Sequence, residues 1–168
     1  MAQQDQWGLV DEDLAPFRVL LHRLLRKSSA RTALFTDTSG HLLTLAGKRP
    51  EFDLTTFLAV CAGDYAASRE MASMLGEDRF QALYHQSERS QIYITEIAPA
   101  SLLVLLFHRE STLGLVRWAV KKYRDDLRRA LDGAVAAARE RSPVTGQREE
   151  SGPTAQSVDD ALDAFFDA

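Results

Sequence analysis

A single cysteine, Cys61, leaves the chain no partner for an internal disulfide, so its 168 residues must be held by packing alone. The nine glycines never fall into G-x-x-x-x-G-K-[ST] or G-x-G-x-x-G, which excludes a recognisable nucleotide cradle. The four histidines, His22, His41, His85 and His108, have no histidine or cysteine at metal-ligand spacing. Neither Ser101 nor Ser111 sits in a G-x-S-x-G elbow, and no base neighbours Cys61 in sequence, so its thiol reads as buried and inert. No catalytic constellation, cofactor site or metal site is expected. The longest apolar run, residues 102–107, falls far short of the roughly 20 needed to cross a bilayer. Residues 1–13 are polar and acidic and lack the pattern of a secretion signal, so a soluble, cytoplasmic protein is expected. The net charge of −4 argues against a nucleic-acid binder.

With 45% hydrophobic and 26% charged residues, the composition is that of one globular domain with a tail. The charge is unevenly placed. Residues 142–168 carry one base and six acids, net −5, while residues 1–141 are close to neutral at +1. Within that body, residues 117–141 hold eight bases against four acids. This stretch reads either as a solvated helix face or as a surface for an acidic partner, the chain's own tail included.

Hydrophobic spacing organises the rest. Leu14, Phe17, Leu21, Leu24 and Leu25 recur at steps of three and four, predicting a helix over 13–27 with Pro16 in its first turn. Residues 32–36 and 41–45 read as strands of a hairpin about the turn residues 37–40, followed by a polar loop over 47–51. Asp53 is a natural N-cap for a long second helix closed by Gly76. Its buried side is expected to comprise Phe57, Leu58, Cys61, Tyr65, Met71, Met74 and Leu75. Between them lie Ala59, Ala62, Gly63, Ala66, Ala67, Ser68 and Ala72, a density of small residues that lets another backbone come close. Gly63 costs such a helix roughly 1 kcal/mol relative to alanine, which points to a packing or contact reason.

Residues 80–86 form a weak strand candidate and 91–97 (QIYITEI) an alternating one. Residues 102–108 (LLVLLFH) are apolar on both faces and should form a central strand. Ser111 or Thr112 caps a last helix whose stripe is Leu113, Val116, Val120, Tyr123, Leu127, Leu131 and Val135. Residues 142–156 lack periodicity and read as a disordered linker. In residues 157–168, Val158, Leu162, Phe165 and Phe166 form the apolar face of a short acidic helix of the kind that docks in a groove. The expected order is α-β-β-α-β-β-β-α, with a domain over 11–141.

That order, with the strings it contains, resembles the roadblock (dynein light-chain) family. The matching strings are AGDYAA at 62–67, LGE at 75–77, Phe80 followed by Tyr84-His85, IYI at 92–94, LVLLF at 103–107 and STLGLVR at 111–117. Lys121-Lys122, Asp126-Leu127 and the acidic, aromatic end at 159–166 extend the match. Within the family, the resemblance is to bacterial gliding-motility regulators of a Ras-like small GTPase.

The resemblance implies an α+β fold: a five-stranded antiparallel sheet, with the middle helix on one face and the first and last helices on the other. It also implies a homodimer made by pairing the middle helices and joining the third strands, which removes an exposed sheet edge. By the same resemblance the dimer would stimulate a GTPase by holding its switch regions, with no active site of its own. The family's contact face includes small positions of the middle helix that match Ala66 and Glu70, and Ala62, Gly63 and Ala67 complete the candidate set. Glu70 departs from the small residue usual there. For Ala66 and Ala67, dimer packing alone is the alternative. Val158, Leu162, Phe165 and Phe166 would form a second partner contact, reaching the GTPase away from its nucleotide, or else fold back on the last helix. A scaffold that leaves hydrolysis unchanged, and a small-molecule sensor using the hairpin face, are the other readings.

Overall fold

The structure, a computed structural model, describes residues 7–141. The expected linker over 142–156 and docking segment over 157–168 lie outside the described residues. The elements follow the expected order: α1 (Ala15–Ser28), β1 (Thr32–Asp37), β2 (Leu42–Gly47), α2 (Leu54–Met74), β3 (Leu83–Gln86), β4 (Gln91–Glu96), β5 (Ser101–Phe107) and α3 (Leu113–Arg141). All strand pairs are antiparallel, in the order β2-β1-β5-β4-β3.

The two most buried strands occupy the middle of the described sheet. β1 and β5 pair along their whole length from Thr32–Leu106 to Asp37–Ser101, and nearly every residue of both is buried. A strand covered on both faces needs no alternation, and LLVLLF shows none. Alternate side chains go to opposite layers. Phe35, Leu103, Leu105 and Phe107 point to α1 and α3, where the Phe17 and Phe35 rings meet at 4.2 Å. Leu34, Ile94 and Val104 point to α2 and meet Leu54, Leu58 and Cys61.

Local chemistry sets the turns. Buried Asp37 closes the β1–β2 hairpin: its Oδ1 accepts from the amides of Ser39 (2.8 Å) and His41 (2.9 Å), and its Oδ2 lies 3.0 Å from His41 Nδ1. These bonds hold His41 in the turn. β2 therefore starts one residue later than expected, with a register shift between Phe35 and Thr36. Gly47, expected in the loop, instead ends β2. α1 runs through Ser28, and Ser29 takes the left-handed conformation (φ 54°) that ends it. For α3, Thr112 Oγ1 accepts from the Leu115 amide at 3.2 Å, while Ser111 bonds the Ser28 carbonyl.

Two further expectations are corrected. β3 covers only 83–86 of the predicted 80–86. On α2, Met71, Met74 and Leu75 are 52%, 84% and 71% exposed rather than buried. The sheet-facing stripe continues instead through Ser68 and Ala72. Each helical residue turns about 100°, so a stripe ending at Ala72 sends Met71 and Met74 outward.

Candidate functional site

α2 is a helix fixed on one side and bare on the other. Asp53 caps it, accepting from the amides of Thr55 (3.2 Å) and Thr56 (3.3 Å), and bonding to the Thr56 hydroxyl holds the Asp53 carboxyl below its usual range. Below it, the hairpin turn comes so close that a Cβ on Gly40 would stand 2.9 Å from Ala59 Cα and 2.9 Å from the Leu58 carbonyl. Gly40 also has φ +89°, so the turn can reach the helix only with glycine there.

Polar ties fix the helix across the sheet. The Tyr65 hydroxyl donates to Glu96 Oε2 on β4 at 2.5 Å, and Arg79 Nη1 stands 3.4 Å from the same carboxylate. Burial, then the bond to Glu96, pushes the Tyr65 phenol up to about 12. From the other layer, Arg124 of α3 donates to the Glu96 carbonyl and, at 2.8 Å, to Thr95 Oγ1. Glu96 thus joins all three layers. Asp64 adds a fourth tie, with Oδ2 2.6 Å from His85 Nε2 on β3. Buried Cys61 has its thiol pushed up to about 11, first by burial and then by Asp64, which is the state of an inert packing residue.

The outward face carries small residues and few charges. Gly63, Ala66, Ala67 and Glu70 are exposed, whereas Ala62 is 7% exposed and belongs to the sheet side. Val60 (65% exposed), Met71 and Met74 widen this face, and the residue-by-residue reading missed them. A signal was present: α2 has only three charged residues, Asp64, Arg69 and Glu70, in 21. A helix with so few charges is normally covered on more than one side. Beside it, β3 forms one edge of the described sheet. Val158, Leu162, Phe165 and Phe166 lie outside the described residues. Among the described residues no group of three metal-ligating side chains gathers, and no helix is long and apolar enough to cross a membrane.

The family model described as Roadblock/LC7 domain matches residues 17–107, from α1 to the end of β5 and more than half of the chain. The chain belongs to the Roadblock/LC7 domain family. Solved structures similar to this roadblock domain include a gliding protein MglB from Thermus thermophilus, 33% identical over 75% of this chain and 96% of that one, with a TM-score of 0.68. Another is described as MglB with tetrameric arrangement, at 32% identity over 75% and 95% of the two chains and TM-score 0.69. Myxococcus xanthus MglB matches at 28% identity over 70% and 96%, with TM-score 0.66. No curated protein sequence matches the chain. The family match stops before α3, so the 29-residue helix that carries the basic stretch lies beyond it.

Proposed function

We propose that this roadblock domain is a homodimeric regulator of a Ras-like small GTPase of the MglA type, in bacterial polarity or gliding motility, and that it stimulates GTP hydrolysis. The observation that carries the reading is the bare outer face of α2: a rigidly seated helix presenting Gly63, Ala66 and Ala67 between exposed Val60, Met71 and Met74. Similarity to MglB structures at up to 33% identity supports the same assignment. Two copies pair their α2 helices through the small residues and join their β3 edges, and the paired helices form a platform for the GTPase. The platform supplies no reacting group. It holds the switch regions so that the GTPase's own residues are placed for attack, a contribution of position rather than of a new chemical group. The C-terminal apolar residues Val158, Leu162, Phe165 and Phe166 add a second contact on the GTPase.

The test is phosphate release from the GTPase with and without this protein, alongside light scattering of the protein alone. Stimulation together with a mass of two chains is expected. A clean 18.7 kDa monomer at micromolar concentration would remove the platform. Ala66→Arg puts a long cation into the contact and should abolish binding and stimulation. If stimulation survived, the face would be elsewhere. One observation favours the adaptor reading, in which binding leaves hydrolysis unchanged: exposed Glu70 puts a carboxylate where the family usually has a small residue. An unchanged rate in the presence of measurable binding selects that reading.

A further inference from the structure

On the sheet face opposite α2 an open groove of about 880 Å³ runs between α3 and the β3–β4 end of the sheet. Phe80, Tyr84 and Tyr93 give it an aromatic floor, and Arg117, Lys121 and Arg124 a cationic rim. No acidic side chain among the described residues lines it. Arg124 is held by the Glu96 carbonyl and Thr95 Oγ1, while Arg117 and Lys121 project from the exposed side of α3 with no ion pair among the described residues. At its margin Trp118, 49% exposed, lies under the Lys122 ammonium at 5.1 Å. Nothing in the α2 platform uses this groove.

We propose that the groove receives the chain's own C-terminal segment, residues 157–168. Three observations select that occupant. The segment carries four aspartates, Asp159, Asp160, Asp163 and Asp167, and no base, the complement of a rim with three cations. Its apolar residues Val158, Leu162, Phe165 and Phe166 fall at i, i+4, i+7 and i+8, the anchors of a helix laid in a groove, and an aromatic floor suits its two phenylalanines. It can also reach. At about 1.5 Å per helical residue, Arg124 and Arg117 lie roughly 25–36 Å back along α3 from Arg141. The 15 residues of 142–156 span up to about 50 Å when extended. Two other concavities mix apolar and basic side chains, but each includes an acid and is a poorer home for four aspartates: Glu51 in one of about 250 Å³ beside Phe52 and Phe57, and Asp132 in one of about 330 Å³ beside Trp7 and Leu131.

Docking there withholds the segment from any GTPase. The inference goes beyond the platform reading and does not rest on it. Its test contains no GTPase, so its failure leaves the α2 face untouched.

Amide exchange is compared between the full chain and a chain ending at residue 156. Slower exchange in β3 and in the first three turns of α3 of the full chain, lost on truncation, is expected. A synthetic peptide of residues 157–168, titrated onto the truncated chain, should restore that protection saturably and bind less well as salt rises. Arg117→Glu/Lys121→Glu should weaken the peptide by about tenfold or more, because like charges then face each other across the groove. Both positions are exposed, so the fold is checked by circular dichroism. As a second variant, Phe165→Asp/Phe166→Asp in the full chain leaves the domain untouched and should give the exchange pattern of the truncated chain. Identical exchange with and without the segment overturns the proposal. So does undiminished peptide binding by the charge-reversed protein, or protection confined to α2.

Discussion

Gly63→Ala separates what α2 is worth alone from what it is worth against a partner. In the single chain a Cβ at position 63 meets nothing within 4 Å, and the residue lies inside a 21-residue helix. Helix propensity alone therefore predicts that alanine stabilises one isolated protomer by ~0.5–1 kcal/mol. If two α2 helices cross with backbones in contact at Gly63, the same methyl has no room, and overpacking costs ~1–3 kcal/mol. That corresponds to roughly 5- to 150-fold in the dimer dissociation constant. The two effects have opposite signs and are read by different assays. Sedimentation gives the dissociation constant, and urea unfolding at several protein concentrations separates the protomer term from the association term. Weaker association with a more stable protomer is the expected pair of results. A more stable protein with unchanged association would refute backbone contact at Gly63, and with it the reason given for the small residues of α2.

Four further outcomes follow from the packing and the ties. Leu58→Ala, at a fully buried position between α2 and the sheet, should lower stability by ~2–5 kcal/mol in urea unfolding and loosen the seat of α2. Tyr65→Phe leaves the Glu96 carboxylate one donor short and should cost ~1–3 kcal/mol, seen as a lower Tm. The Tyr65 phenol is raised from 10.0 to about 12 in the fold, so its contribution is whole below pH 10 and is lost as pH rises toward about 12, a loss absent from Tyr65→Phe. The Arg141 guanidinium holds the Asp13 carboxyl below its usual 3.8, so this tie is present above that value and lost as acid protonates it. Amide protection at the end of α3, taken relative to the intrinsic exchange rate, should fall in that acid range, and in Asp13→Asn at neutral pH.

The strands and caps were legible because their causes are local. QIYITEI alternates because β4 has a different neighbour on each face, and LLVLLF does not because β5 is apolar on both. Asp53 reads as a cap from its own side chain, and Gly76 as a stop from its positive φ (76°). The outward turn of Met71 and Met74 was not legible. The bulkiest residues of an apolar helix are the usual guess for its buried side, but here the sheet meets Ser68 and Ala72. That choice is made by the crossing of helix and sheet, which spacing alone does not encode. The tie from Tyr65 through Glu96 to Arg124 was equally hidden, since its members are separated by 31 and 28 positions.

Those hidden features bear on one physical problem. A helix whose outer side carries small residues gains little area there with which to hold itself in place, because alanine and glycine remove little apolar surface from water. α2 nevertheless has to present Gly63, Ala66 and Ala67 at a fixed height and rotation if another backbone is to come close to them. Large side chains at those three positions would add area but would also keep that backbone away. The chain instead places its anchoring at the sheet side and at the rim: Leu58 and Cys61 in the core, Gly40 beneath Ala59, Tyr65 on Glu96, and Asp64 on His85. The ties hold the helix, and the small outer residues are then free to make a close contact. Loosening a tie should therefore weaken partner binding through a face that contains none of the altered atoms. Tyr65→Phe tests this directly, since its hydroxyl lies between α2 and β4 on the inner side. If binding through Ala66 kept its full strength while Tm fell, the rotation of α2 would not depend on the Glu96 tie.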